Sequence, residues 1–380
     1  MPRMKVTCLQ ENLARGLSIA ARAVAPRSTL PVLGNVLVAT DHGRLRLSAT
    51  NLEIGISCWV GAKVEDDGAT TVPARTFVDL VNTLPNDHVQ MDLTVRTQTL
   101  HVVCGAFNND IKCLDAQEFP PLPPSDLDDG LSLNVSDLKE MINQVVFAAS
   151  SDDARPVLTG VYTELRSGEL TMAAADGFRL SVRSAHLSSP GGAAIKVVIP
   201  SRALSELARI LGDGDEVVTM SLPPARNQVI FRTKNVELVS QLIDGTFPDY
   251  RSIIPTNSST RTVLSTTAFL KACKAADIFA REAAHSARLR ITPGSESEPG
   301  NLEVSAVSAE TGSNETVVEA TVDGDPVEIA FNVSFLVDVL SVIDTPNVAL
   351  ETSASTAPGV IRPVGRDDFL HVVMPMHLGR

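Results

Sequence analysis

Aromatic residues are scarce in this chain: Phe, Trp and Tyr make up 4% of 380 residues, and Trp59 is the single tryptophan. Trp59 lies in a strand-like stretch, which reads as packing rather than as a stacking platform for a ligand. No apolar run is long enough to cross a bilayer, and "MPRMKVTCLQENLARG" has no signal-peptide core. The five cysteines (Cys8, Cys58, Cys104, Cys113, Cys273) are odd in number and scattered, with no CxxC. That argues against a disulfide framework or a zinc site and favours a reducing cytoplasm. The seven histidines show no i,i+4 pairing, so no metal is expected. HExxH, GxxxxGK[ST] and GxSxG are all missing. Ser136 and Lys139 match SxxK without the companion SDN and KTG motifs, and Ser136 reads better as a helix cap. "GDGDE" (212–216) reads as a turn after a helix rather than a phosphate cradle. The sequons at Asn134, Asn257, Asn314 and Asn332 carry little weight without a secretory signal. No enzyme chemistry and no cofactor are expected. A net charge of −13 also speaks against nucleic-acid binding over the whole surface, although a local basic face stays open.

What the chain does have is repetition. "VPARTFVDLVNTLP" (72–85), "IPSRALSELARILG" (199–212) and "FNVSFLVDVLSVID" (331–344) each follow a strand end with apolar residues at i, i+3, i+4 and i+7. Phe77, Leu80, Val81 and Leu84 form the first stripe; Leu204, Leu207, Ala208 and Leu211 the second; Leu336, Val339, Leu340 and Ile343 the third. Each is the buried face of a short amphipathic helix. A second helix recurs at 11–24, 135–148 and 267–280, with Leu13, Leu138 and Leu270 in register. Strand alternation keeps step: Leu45, Leu47 and Ala49 match Leu170, Met172 and Ala174, then Leu302, Val304 and Ala306. Such alternation, one face buried and one wet, is the habit of antiparallel sheets. The prediction is an α+β protein of three similar domains, residues 1–125, 126–256 and 257–380, each with two helices and antiparallel strands. Proline-rich "FPPLPPSDLDDG" (119–130) and "FPDYRSIIPTNSSTR" (247–261) serve as linkers. The units are too long for solenoid repeats.

"RSTLPVLGNVLV" (27–38), "TTVPARTFVDLVNTLP" (70–85), "AADGFRLSV" (174–182), "DGTFPDYRSIIP" (244–255), "FNVSFLVDVL" (331–340) and "VVMPMHL" (372–378) resemble the beta subunit of bacterial DNA polymerase III, the DNA sliding clamps. The resemblance runs in order from Met4 to Leu378. It implies the DNA clamp fold, closed into a ring by two protomers with helices lining the hole. It also implies a non-enzymatic processivity factor. Its partners would be double-stranded DNA bound by enclosure, the polymerase III catalytic subunit, the clamp loader, other proteins carrying a clamp-binding motif, and a second copy of itself; no membrane is implied. The alternative reading is a clamp-fold paralogue that binds partners without being loaded on DNA.

Carried over by matching segments, a partner-peptide cleft should involve Arg155, Leu158, Ala175, Gly177, Phe178, Leu180, Pro248, Ile253, Asn332, Phe335, Val373, Met374, Pro375, Met376 and Leu378. This gives a purpose to the apolar "FLHVVMPMHLGR" at the C-terminus, where chain ends are usually polar and frayed. Methionine suits such a site, being flexible and polarizable enough to repack around different ligands. Dimer contacts are implied for Ile111 and Leu114 on one side, with Ile278 and Phe279 on the other. The six helical segments together carry two more basic than acidic side chains, against −13 for the whole. Arg15, Arg22, Arg27, Arg75, Arg202, Arg209, Lys271 and Lys274 are the candidates for facing phosphate. Their contacts would be to the DNA backbone, without base readout. Phe178, Ser252 and His377 stand where the family commonly has other residues.

Overall fold

The computed structural model describes residues 4–25, 27–122, 130–187, 194–212, 217–223 and 227–377. Among these, six helices appear where the apolar stripes predict them: α1 (Gln10–Ala20), α2 (Ala74–Thr83), α3 (Val135–Val145), α4 (Ser201–Ile210), α5 (Thr266–Ala280) and α6 (Val333–Leu340). Helix α1 buries Leu13, Gly16, Leu17 and Ala20. Gly16 is required by this packing, because a Cβ there would stand 2.7 Å from Val60 Cγ2. Helix α5 likewise turns small residues inward, Ala272, Cys273, Ala276 and Ala280, beside one large anchor, Phe269. No helix among the described residues is long and apolar enough to cross a membrane.

One local expectation changes. Ser136 does not cap α3; Asn134 does. The Asn134 Oδ1 accepts from the Ser136 amide at 2.9 Å and from the Ser136 hydroxyl at 2.7 Å. Asn332 repeats the device at α6, taking the Ser334 amide at 3.0 Å and its hydroxyl at 2.6 Å. Both read Asn-Val-Ser, so two of the four sequons are helix caps.

Every ladder among the described residues is antiparallel, and their strands fall into two twelve-stranded sheets. The chain forms two compact units, Met1–Ser136 with Glu206–Leu242, and Asp137–Ser205 with Ile243–Arg380. The middle third is therefore divided. Its strands Leu131–Asn134, Val217–Ser221, Gln228–Arg232 and Val236–Gln241 join the first sheet. Gly160–Arg166, Glu169–Ala175, Arg179–His186 and Ile195–Pro200 join the second.

Each sheet contains one seam where two thirds meet. In the first unit, Ile54–Asp66 pairs with Val236–Gln241, Ile54 opposite Ser240 and Cys58 opposite Val236. In the second, Arg179–His186 pairs with Phe369–Val373, Arg179 opposite Val373 and Arg183 opposite Phe369. In both, the last strand of one third lies against the long fourth strand of the third before it. The remaining long strand, Gly312–Gly324, pairs on one side with Asn301–Ser308 through residues 312–319. On its other side only residues 320–324 are paired, with Thr260–Leu264. The remaining last strand, Phe107–Lys112, has one neighbour, Thr99–Cys104, and ends its sheet.

Candidate functional site

The apolar tail is tied down on two sides. Met374 N donates to the Phe178 carbonyl and Met376 N to the Ala330 carbonyl, each at 2.8 Å. Val373 is buried behind them, whereas Met374 stays 41% exposed beside Phe178, at 62%. The turn that presents Phe178 is set by Asp176, whose Oδ1 accepts from the amides of Phe178 (2.9 Å) and Arg179 (3.0 Å). Gly177 between them has φ +95°, a left-handed conformation that favours glycine. Arg155 closes one end, reaching the Asp176 carbonyl at 3.5 Å. Ala175, Leu180 and, partly, Leu158 pack into the core beneath, with Tyr162, Phe247 and Tyr250. Pro248 and Ile253 are exposed, on the segment that leads into and out of Tyr250. Asn332 is occupied as a helix cap, and Phe335 is half-buried in the first turn of α6. Leu378 lies outside the described residues. The other fourteen expected cleft residues all belong to the second compact unit.

Sequence reasoning missed the group that organises this site. The Arg179 side chain, 11% exposed, binds Asp176 Oδ2 at 3.0 Å and Asp338 Oδ2 at 2.6 Å. It donates a third bond to the Phe147 carbonyl at 2.6 Å. Its guanidinium carbon lies 4.3 Å from the Phe335 ring centroid and 5.4 Å from that of Phe147. Beneath it His371 is fully buried, with Nδ1 2.6 Å from Ser181 Oγ. Burial, helped by the Arg179 charge, pulls the His371 pKa down to about 3, so the ring is neutral around pH 7.

The candidate phosphate-facing residues are all exposed. In the first unit Arg22 and Arg209 share Glu206, at 3.1 and 2.8 Å, so part of their charge is spent. Arg75 lies 3.9 Å from Asp79. Arg15 and Arg27 there, and Arg202, Lys271 and Lys274 in the second unit, make no ion pair among the described residues.

The expected contact residues divide. Ile278 is 58% exposed and Phe279, half-buried, has its ring against Gly312 on the half-paired strand. Ile111, by contrast, is buried in its own unit. Leu114 exchanges both backbone bonds with Thr71 at 3.1 Å. Phe107, at the start of the same strand Phe107–Lys112, is exposed.

The five cysteines are all buried and unpaired, and burial pushes the thiols of Cys8 and Cys58 up to about 12 and about 11. They are poor nucleophiles. No cluster of metal-ligating side chains occurs among the described residues.

Three family models match in order: "DNA polymerase III beta subunit, N-terminal domain" over residues 4–123, "central domain" over 132–249, and "C-terminal domain" over 251–377. The beta sliding clamp of Synechococcus elongatus is 33% identical over 379 residues, covering 99% of this chain and 100% of the relative. The crystal structure of the Bacillus subtilis DNA polymerase sliding clamp superposes with a TM-score of 0.93 at 28% identity, over 99% of this chain and 100% of that one. The Pseudomonas aeruginosa sliding clamp bound to griselimycin gives 0.90 at 32% identity, with the same coverage.

Proposed function

This chain belongs to the DNA polymerase III beta subunit family, and on that premise we propose that it is a non-catalytic cytoplasmic clamp that encircles duplex DNA and tethers the replicative polymerase. The observation that carries the reading is the unmatched seam. Two of three equivalent strand pairings are made within the chain, and among the described residues the two halves of a third are present but not paired with each other. Pairing Phe107–Lys112 of one copy with the free edge of residues 312–319 of another repeats the same joint. Two copies joined this way satisfy each other's edges and close, as two different complementary surfaces require. Ile278, Phe279 and Phe107 would flank the joint.

Enclosure reconciles the acidic chain with a nucleic-acid role. A closed ring holds DNA without strong attraction, so a few exposed basic side chains on helices suffice. Arg15, Arg202, Lys271 and Lys274 on helices, with Arg27 in the turn that follows α1, are the best supported, having no carboxylate partner among the described residues. The cleft formed by Phe178, Phe335 and the Met374–Met376 tail would take a short linear motif from the polymerase, the clamp loader or other partners. Griselimycin, which the Pseudomonas clamp binds, is the probe to test on this chain.

The deciding measurement is retention on nicked circular plasmid after loading by a clamp loader, compared before and after linearisation. The protein should stay on the circle and be lost from the linear form. Equal retention on both would mean ordinary phosphate binding. Light scattering should show a dimer, and Phe279→Ala should weaken it by about 2–4 kcal/mol if Phe279 anchors the joint. An unchanged dimer at low concentration removes Phe279 from that role.

A further inference from the structure

Asp338 is not among the residues assigned to the cleft. It lies on α6, three residues beyond Phe335 and so on the same side of the helix one turn on. With Glu140, Asn143, Gln144, Phe147 and Ser341 it lines a cavity of about 490 Å³. Two of these residues also grip Arg179: Asp338 through its carboxylate and Phe147 through its carbonyl, each at 2.6 Å. The other end of the same guanidinium holds Asp176, whose second oxygen shapes the turn under Phe178. One planar cation thus joins the turn, the Phe335 ring and the wall of a separate cavity.

We propose that Asp338 and Arg179 are positioning residues for ligand binding, fixing the Phe335 ring and the Asp176–Phe178 turn from behind the cleft. The proposal rests on the reading of the cleft as a ligand site. The physics is that of a fork with several fixed prongs. A guanidinium held by two carboxylates and a carbonyl has one orientation, and its flat face sets where the Phe335 ring can lie. Removing the Asp338 charge leaves Asp176 and the Phe147 carbonyl, so Arg179 stays in place but gains freedom to pivot. Phe335 gains the same freedom, and a ligand must then pay to order it. Asp338 also lines the cavity, so on this proposal a change made there would be felt at the Phe335 ring.

The test is griselimycin affinity by calorimetry, with the melting temperature measured alongside. Asp338→Asn should weaken binding about three- to tenfold while melting within about 2 °C of the unsubstituted protein, the change expected from one lost charged bond. Asp338→Glu should restore most of the affinity. Arg179→Lys should weaken binding at least as much as Asp338→Asn, because an ammonium lacks the flat face. The two losses should not add in the double variant, since both act through one ring. Unchanged affinity in Asp338→Asn, or fully additive losses, would overturn the proposal. Should Asp338→Asn fail to fold, Arg179→Lys decides alone: wild-type affinity there ends the idea. The ring signal of Phe335 in labelled protein without ligand provides a separate check. It should shift and broaden in Asp338→Asn, and an unmoved signal counts against positioning even if the unsubstituted protein binds no griselimycin. Absence of binding in the unsubstituted protein would itself dismiss the cleft assignment.

Discussion

The chain builds one turn twice and uses it differently. In the first unit Asn51 Oδ1 takes the amides of Glu53 (3.0 Å) and Ile54 (2.7 Å), as Asp176 does for Phe178 and Arg179 in the second. Gln241 N donates to the Glu53 carbonyl at 2.9 Å, matching Met374 N on the Phe178 carbonyl at 2.8 Å. The side chains diverge. Leu52, with φ +76° and 53% exposed, stands where the second unit has Gly177. Buried Ile54 replaces Arg179, and the apolar pair Ile56–Leu238 replaces Ser181–His371. Repetition fixed the backbone; polar substitutions around one copy of it made a candidate site. The first copy, packed with hydrocarbon, is a structural joint.

Cutting the chain after Val373 should break the comparison most severely. It removes the two backbone bonds of the tail and the exposed methionine, so griselimycin affinity should fall by about a hundredfold or more. The strand Phe369–Val373 and its seam remain, so the second unit should stay folded by circular dichroism. Binding as before would show that the tail is only an anchor.

Acid should separate the two seams next. The folded pKa of His371 lies below its ordinary 6.5, so its contribution to stability is present above pH 6.5 and is lost as pH falls toward 3. At pH 4 the loss is about 3 kcal/mol on the linkage relation. Leu238 at the matching position cannot titrate. Hydrogen exchange should therefore show the Phe369–Val373 strand loosening on acidification before Val236–Gln241. Simultaneous loosening would mean that other groups govern acid stability.

Gly177→Leu makes the second turn resemble the first. Its left-handed φ costs a non-glycine residue about 1–2 kcal/mol, and the new Cβ would meet Arg155 Nη1 at 3.3 Å. Ligand binding should drop about tenfold by calorimetry. The reverse change, Leu52→Gly, relieves the strain but adds freedom to the unfolded chain. It should stabilise by less than about 1 kcal/mol in a thermal melt and leave ligand binding untouched.

The helices and their buried stripes were legible because a 3.6-residue period is local. So was the threefold repeat, since α1, α3 and α5 begin at matching points. The division of the middle third between two sheets was not, because alternation tells which face of a strand is buried and never which strand lies beside it. Arg179 was invisible for a related reason. In "AADGFRLSV" it is one charged residue among many, and its role arises only when residues 147, 176, 335 and 338 converge on it. The α3 cap was misplaced by two residues because Asn134 and Ser136 are both good caps, and the sequence alone does not say which one precedes the first turn.

The half-paired strand Gly312–Gly324 has one more consequence. The two internal seams are fastened by chain connectivity, so each sees its mate at a fixed, high effective concentration and re-forms whenever it slips. An intermolecular seam has no such leash. If it closes as proposed, it is the one joint whose lifetime responds to dilution, and the place where an assembled ring can be parted without unthreading a polypeptide. On the proposed assembly, leaving that stitch unsewn would provide a gate.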